Sequence, residues 1–171
     1  MNLLRGDLPT IYLKPGTLYL AERPAVVKTV LGSCISVTIF SPRLSIGGIC
    51  HAMMPAGRNG DSEEDFRYVD SSLKRMLRWL DARGVRRWET ETKLFGGASF
   101  WEVSGKRGGG NIGQMNVEKA REILQAEQLS PVLSDIGGRS GRKLFYVTHT
   151  GEVFLERIGR PADGRKLSKR G

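Results

Sequence analysis

Residues 25–40 read Ala-Val-Val-Lys-Thr-Val-Leu-Gly-Ser-Cys-Ile-Ser-Val-Thr-Ile-Phe. The segments 25–30 and 34–40 are short and rich in β-branched residues, which is typical of strands. Leu31-Gly32-Ser33 separates them, and glycine followed by serine favours a tight break in the chain. The stretch therefore predicts two strand segments that meet at a sharp turn, with Cys34 at the start of the second.

A third apolar run, residues 45–54, follows between Pro42 and Pro55. It contains Gly47-Gly48, and glycines inside a strand mark a bulge or a place where another group approaches the backbone. Cys50 and His51 are adjacent in this run, so on a strand their side chains point to opposite faces. His51 can then meet Cys34 across the gap between neighbouring strands.

Two stretches have the spacing of amphipathic helices. In residues 63–83 apolar side chains recur every three or four positions, and Gly84 follows as a C-terminal stop. Residues 117–128 have the same periodicity, with Asn116 before them as an N-terminal cap and Pro131 after them.

The rest of the chain reads as further short strands and turns. Residues 105–113 form a glycine-dense loop, and a hairpin is centred on His149-Thr150-Gly151. The other strand segments are residues 86–94, 132–136, 143–148 and 152–158. Two helices with seven or eight strand segments predict an α+β fold, a layered sandwich in which helices cover a mixed β-sheet.

Length and composition indicate one globular domain. The chain has 171 residues, of which 39% are hydrophobic and 26% charged, which excludes intrinsic disorder and a collagen-like chain. No apolar run approaches the length of a membrane span, and Arg5, Asp7 and Pro9 interrupt the segment where a signal peptide needs its apolar stretch. We therefore expect a cytoplasmic protein without membrane insertion.

Of the net charge of +9, +4 lies in the last thirteen residues and +5 in the rest of the chain. Residues 159–171 contain five basic residues and one acidic residue, a net charge of +4. We expect a single domain over residues 1–158, followed by a basic, disordered tail over residues 159–171. Such a tail could bind nucleic acid or an acidic protein surface, but a solvated tail is the more common case, so nucleic-acid binding is not expected.

The supply of ligands argues against a metal or an organic cofactor. Two cysteines and two histidines would all have to converge on a zinc ion, although Cys50 and His51 point to opposite faces. Residues 108–113 match the letters of a dinucleotide-binding fingerprint, but the surrounding βαβ pattern is missing. Two cysteines are also too few for a disulfide framework, so we expect free thiols.

Cys34 and His51 form the pair with catalytic chemistry. A thiol needs a base beside it, because the thiolate is the nucleophile, and His51 can supply that base. Gly32 and Ser33 allow a substrate carbonyl to approach and leave backbone N–H groups to hold an oxyanion. The residues alone leave an alternative open, in which Cys34 is a packing residue and His51 a hydrogen-bonded strand histidine.

Five short motifs follow one another along the chain. They are Leu31-Gly32-Ser33-Cys34, then Gly47-Gly48-Ile49-Cys50-His51-Ala52-Met53-Met54-Pro55, Lys93-Leu94-Phe95-Gly96-Gly97-Ala98-Ser99, Asn111-Ile112-Gly113 with Asn116, and Asp135-Ile136-Gly137-Gly138 with Gly141-Arg142. Over roughly residues 11–158 their order and content resemble the chemoreceptor glutamine deamidase family, CheD. Five ordered motifs are far more specific than any one of them.

The resemblance implies a fold, an activity and three catalytic residues. The fold is a three-layer α/β/β sandwich of the cysteine-hydrolase type, formed by a single deamidase domain. The activity is that of a thiol amidohydrolase that deamidates glutamine side chains to glutamate on the helical cytoplasmic region of chemotaxis receptors, and that can also hydrolyse glutamate methyl esters. Cys34 matches the nucleophile, His51 the histidine and Thr29 the threonine, although some relatives carry the threonine where this chain has Lys28.

The resemblance also implies partners and leaves other functions open. Relatives bind a chemotaxis phosphatase of the CheC type, which makes such a protein a second expected partner besides the receptors. Met115 departs from the arginine that relatives usually carry there. A non-catalytic module that docks on receptors or on such a phosphatase is the main alternative, and a thiol-reactive probe distinguishes it from the enzyme.

Overall fold

The computed structural model describes residues 6–59, 61–99 and 111–159. Within these ranges the chain forms two α-helices, a short 3-10 turn and nine strands. The helices are α1 (Val69–Asp81) and α2 (Ile112–Ala126), and the 3-10 turn is Arg87–Glu89. The strands are β1 (Thr10–Tyr12), β2 (Thr17–Ala21), β3 (Val26–Leu31), β4 (Ile35–Ser41), β5 (Ile46–His51), β6 (Glu91–Gly96), β7 (Leu133–Ile136), β8 (Gly141–Val147) and β9 (Val153–Ile158).

The strands form two mixed sheets that pack face to face. One has the order β2-β5-β4-β6-β7 and the other the order β1-β3-β8-β9. Only the β6–β7 and β1–β3 pairs are parallel among the described strands. Both helices pack on the outer face of the five-stranded sheet, and the four-stranded sheet covers its other face. The expected three-layer α/β/β sandwich is confirmed.

Strand β4 lies between two hydrophobic cores, one beneath the helices and one between the sheets, and its side chains alternate between them. Every residue of this strand is buried, because the sheet that contains it is covered on both faces. Ile35, Val37 and Ile39 pack in the core beneath the helices. Cys34, which directly precedes the strand, packs in the core between the two sheets. Successive side chains alternate between the two layers, as strand geometry requires.

The glycines of β5 explain how the sheets approach each other. The Tyr146 hydroxyl crosses from the four-stranded sheet and donates to the Ile39 carbonyl at 2.8 Å. A Cβ atom at Gly47 would overlap that hydroxyl. The expectation that these glycines mark a close approach to the backbone is confirmed at Gly47.

Helix α1 starts at Val69, six residues later than the periodicity predicts. The backbone of Tyr68 pairs with Met54 in an isolated β-bridge, and the Asp65 carboxylate accepts from the Arg67 backbone N–H at 3.2 Å. Such local bonds give the backbone an alternative to the helix. Gly84 follows the helix with φ +69°, as expected of a C-terminal stop.

Helix α2 starts at Ile112, and its cap is Asn111. The Asn111 Oδ1 atom accepts from the Gln114 backbone N–H at 3.1 Å. The prediction of Asn116 as the cap is wrong, because Asn116 lies inside the helix with its side chain buried. Both asparagines have the chemistry of a cap, and only the true start of the helix distinguishes them.

The predicted strand at residues 86–94 is partly wrong. Its first half is the 3-10 turn, because the Glu89 carboxylate accepts from the Arg86 backbone N–H at 3.2 Å and the Thr90 hydroxyl donates to the Arg86 carbonyl at 2.8 Å. Strand β6 follows at Glu91–Gly96. The hairpin between β8 and β9 is confirmed, and His149 lies in its turn.

Three features of the sequence fall partly or wholly outside the described residues. Residues 105–110 of the glycine-dense loop and residues 160–171 of the basic tail are among them, as are residues 1–5. In the part of the chain that the structure describes, neither helix has the length and apolar character needed to cross a membrane.

Candidate active site

Cys34 lies in the turn between β3 and β4, and a neighbouring segment fixes that turn. The Cys34 carbonyl accepts from the Gly97 N–H at 2.9 Å, and the Gly32 carbonyl accepts from the Ala98 N–H at 3.0 Å. Gly96 has φ +105°, and a Cβ atom there would overlap the Cys34 carbonyl. Glycine at position 96 is therefore required for the backbone of this segment to lie close enough to the turn to form these hydrogen bonds.

The motif at residues 135–142 supports this segment from behind. The buried Arg142 guanidinium donates to the Asp135 carboxylate and to the Gly137 carbonyl, both at 2.8 Å. The Gly137 N–H in turn donates to the Gly96 carbonyl at 2.9 Å. A chain of hydrogen bonds thus runs from the ion pair of the buried Arg142 with the partly exposed Asp135 to the turn that carries Cys34.

His51 ends β5 and faces the space between the two sheets. Cys50 packs on the helix side and its Sγ accepts from the Val37 N–H at 3.5 Å, so the predicted opposition of Cys50 and His51 is confirmed. The β4–β5 ladder continues through the Ile35–Ala52 bridge, which places His51 opposite Ser36 and diagonal to Cys34. Cys34 and His51 therefore lie on the same face, at a spacing that long side chains span.

Thr29 reaches His51 from the other sheet. It lies on β3 between Val27 and Leu31, which point into the core between the sheets, and it is fully buried. Its Oγ1 atom lies 2.7 Å from the His51 Nδ1 atom. Lys28 points to the opposite side of β3, with its Nζ atom 5.8 Å from the centre of the Phe145 ring. The structure thus brings Thr29, and not Lys28, to the histidine.

The Thr29 hydroxyl also decides which nitrogen of His51 carries the proton. Its single proton is donated to the Leu13 carbonyl at 2.8 Å, and a carbonyl can only accept. Towards His51 the hydroxyl must therefore accept, which requires a proton on Nδ1. The lone pair of Nε2 is then available as a base on the ring edge remote from Thr29.

Backbone N–H groups of the turn are available to an oxyanion. Among the described residues, neither the Ser33 N–H nor the Cys34 N–H donates to a backbone acceptor, and the Cys34 N–H faces the sulfur of its own side chain. The carbonyls of Gly32, Ser33 and Cys34, in contrast, all accept hydrogen bonds. The turn is thus held by its carbonyls, while its donors are left for a ligand.

Burial favours the uncharged forms of both Cys34 and His51. It raises the pKa of the Cys34 thiol, and the Cys34 backbone N–H opposes part of that rise. Burial also lowers the pKa of His51 to about 4. At neutral pH the site therefore holds a thiol beside a neutral imidazole, and not a preformed ion pair. Burial raises the pKa of the fully buried Cys50 thiol to about 11, so we expect Cys50 to be the less reactive thiol.

Asn116 contacts the site, although its sequence pattern suggested a cap. Its Nδ2 atom donates to the Ser33 carbonyl at 3.1 Å and to the Met53 carbonyl at 3.0 Å. The sequence signal for this contact was the helical spacing of Asn116. When Asn111 is taken as the cap, Asn116 lies on the buried face of the helix together with Gly113, Val117 and Ala120. Among residues 6–59, 61–99 and 111–159, no three His, Cys, Asp or Glu side chains are grouped as metal ligands.

Comparisons with known proteins agree with one another. A family model described as CheD chemotactic sensory transduction matches residues 53–157. "Probable chemoreceptor glutamine deamidase CheD 2" of Geobacter sulfurreducens is 47% identical over 160 residues, which is 94% of this chain and 97% of that protein. "Probable chemoreceptor glutamine deamidase CheD" of Maridesulfovibrio salexigens is 40% identical over 161 residues, 90% and 95% of the two chains. With such coverage and identity, this chain belongs to the CheD family.

Proposed function

We propose that this protein is a thiol amidohydrolase that converts glutamine side chains of chemoreceptors to glutamate. The observation that carries the proposal is the Thr29–His51 contact of 2.7 Å, made on the same face of the sheet as Cys34. A packing cysteine and a structural histidine do not need a hydroxyl that fixes the imidazole tautomer. A nucleophile and its base do, because the base must present its lone pair to the thiol.

The first half of the reaction forms a thioester. His51 Nε2 takes the proton of the Cys34 thiol, and the sulfur attacks the carboxamide carbon of the glutamine. The carbonyl oxygen gains the negative charge, which the N–H groups of Ser33 and Cys34 stabilise. The imidazolium then protonates the leaving nitrogen, the C–N bond breaks and ammonia departs.

The second half regenerates the thiol. His51 takes a proton from water, the hydroxide attacks the thioester carbon, and the C–S bond breaks to give the Cys34 thiolate and a carboxylic acid, which releases its proton to solvent and becomes glutamate. The imidazolium returns its proton to the sulfur. A glutamate methyl ester can enter the same sequence with methanol leaving in place of ammonia, so esterase activity is part of the proposal. No step uses a metal or an organic cofactor.

The proposal extends to a substrate and a partner, which the family resemblance supports. The helical cytoplasmic region of chemoreceptors is the proposed substrate, and the cytoplasm is accordingly the proposed location of the protein. A phosphatase of the CheC type is the proposed regulatory partner. Co-purification of this chain with such a phosphatase from the same organism tests that partner separately from the chemistry.

The experiment is conversion of a receptor cytoplasmic fragment, followed by peptide mass spectrometry at each glutamine. Wild type and Cys50→Ala should convert the same glutamines, whereas Cys34→Ala should convert none. Cys50→Ala is the matched control, because it removes the other thiol from the opposite face of β5. Binding of the fragment without conversion would instead identify a docking module.

A further inference from the structure

Asn116 links the turn that carries Cys34 to the end of the strand that carries His51. Its side chain is fully buried, and both hydrogens of its amide nitrogen are used, one on the Ser33 carbonyl and one on the Met53 carbonyl. These two residues lie directly before Cys34 and two places after His51. One side chain of the helical layer therefore contacts both halves of the site.

The chemistry of the contact explains why this residue is an asparagine. Both neighbours are carbonyl oxygens, which only accept, so a group with two N–H donors is needed. The Asn116 Oδ1 atom is buried and has no partner among the described residues. A leucine would fill similar space without a stranded oxygen, so the two carbonyls, and not packing, account for the asparagine.

Holding the Ser33 carbonyl also orients the next backbone N–H. The peptide bond between Ser33 and Cys34 is trans and planar, so its C=O and N–H point in opposite directions. Because the C=O points to Asn116 on α2, the Cys34 N–H points away from the helical layer. The Cys34 side chain lies on that same side, in the space between the sheets.

We propose that Asn116 is a positioning residue, which aims the Cys34 N–H at the oxygen of the carbonyl that Cys34 attacks. The Met53 carbonyl is the second anchor that keeps the amide in this orientation. The inference rests on the proposed function only in requiring that Cys34 attack a carbonyl group. It adds a residue from the helical layer to a site otherwise built from the two sheets.

Two small reagents separate this role from a general effect on the thiol. Iodoacetamide reacts by displacement at a saturated carbon, in which the C–S bond forms, iodide leaves and no oxyanion arises. p-Nitrophenyl acetate reacts by attack at a carbonyl, in which an oxyanion forms, the C–S bond is made and p-nitrophenolate leaves. In both reactions the thiol proton goes to His51, so both depend equally on the base. Only the second reaction forms an oxyanion, so only its rate depends on the orientation of the Cys34 N–H.

The test compares both rates in Asn116→Asp, which keeps the size of the side chain but turns an oxygen towards the two carbonyls. Acylation of Cys34 by p-nitrophenyl acetate should fall at least tenfold, since loss of one oxyanion donor costs about 100- to 1000-fold. Alkylation by iodoacetamide should change less than about threefold. Asn111→Ala is the matched control, because it removes the cap of the same helix without contacting the turn, and both rates should stay at wild-type values.

Several outcomes would overturn the inference. Equal losses of both rates would assign Asn116 to the integrity of the turn, and wild-type rates for both would remove any role. Alkylation without acylation in the wild type would mean that no oxyanion is held there. Should Asn116→Asp not fold, Asn116→Ser, which keeps one donor, must show the same selective loss of acylation. A wild type that acylates but leaves the receptor fragment unchanged would refute the proposed substrate, and not the role of Asn116.

Discussion

Replacing Thr29 by valine removes one hydroxyl while keeping the shape of a β-branched side chain in a fully buried position. The change leaves the Leu13 carbonyl and the His51 Nδ1–H without the partners they have at 2.8 and 2.7 Å. Each buried group left without a partner costs about 1–3 kcal/mol. We therefore expect the free energy of unfolding to fall by about 2–6 kcal/mol, which urea titration measures.

The effect on turnover comes from the charge that His51 acquires during the reaction. A hydrogen bond to a charged group contributes about 1.5–3 kcal/mol and one between neutral groups about 1 kcal/mol. The Thr29 hydroxyl thus stabilises the imidazolium by about 0.5–2 kcal/mol more than the neutral ring, which corresponds to a loss of kcat of about 2- to 30-fold. KM should change little, because Thr29 lies behind His51, between the two sheets.

The assay is deamidation of a receptor fragment at saturating substrate, at a temperature well below the thermal unfolding midpoint of each variant. Thr29→Ser keeps the hydroxyl and should retain kcat within about threefold, despite losing a buried methyl group. Lys28→Ala is the matched control on the opposite side of β3. A folded Thr29→Val variant with wild-type kcat, or a comparable loss in Lys28→Ala, would refute the role proposed for Thr29.

Three further predictions concern pH and geometry. Burial holds the pKa of His51 at about 4, so between about pH 6.5 and pH 4 the unfolded chain binds more protons than the folded protein. Lowering the pH through that range should therefore lower the free energy of unfolding, by on the order of 3 kcal/mol. His51→Gln should lack this part of the pH dependence in urea titrations, and an unchanged slope would contradict it. Because burial raises the pKa of Cys34, the ultraviolet thiolate absorbance of wild type minus Cys34→Ala should be absent at pH 7 and appear only above about pH 9; a signal at pH 7 would instead reveal an ion pair. Gly96→Ala should lose at least 100-fold in kcat, since its Cβ would overlap the Cys34 carbonyl, whereas Gly84→Ala, also at positive φ but with no atom within 4 Å, should lose about 1 kcal/mol of stability and no activity.

The strand geometry of the site could be predicted because it depends on local alternation. A period of two is enough to place Cys50 and His51 on opposite faces. That Cys34 shares a face with His51 depends on the register of β4 against β5, which the structure supplies. The turn at Gly32-Ser33 and the stop at Gly84 are likewise local consequences of glycine. The three-layer arrangement, in contrast, was expected from the family resemblance, because composition and periodicity indicated only a layered sandwich.

Helix boundaries were predicted less well, because several residues have equivalent chemistry. Asn111 and Asn116 can both cap a helix, and choosing the later one concealed the buried contact with Ser33 and Met53. The start of α1 depended on a β-bridge between Tyr68 and Met54, two segments that are separated along the chain. Local propensity cannot indicate such a bridge, because its energy comes from a partner outside the segment.

The sequence by itself determined which residues have the chemistry of the site: a thiol at position 34, an imidazole at position 51 and a hydroxyl at position 29. Alternation along each strand then determined the face on which each side chain lies. Only the tertiary structure decided that the Thr29 hydroxyl donates to Leu13 and accepts from His51. Thr29 and His51 belong to different sheets, and the depth at which two sheets stack is set by the side chains packed between them, such as Tyr146 against Gly47. The protonated nitrogen of the histidine is therefore a property of the packed layers and not of any single strand.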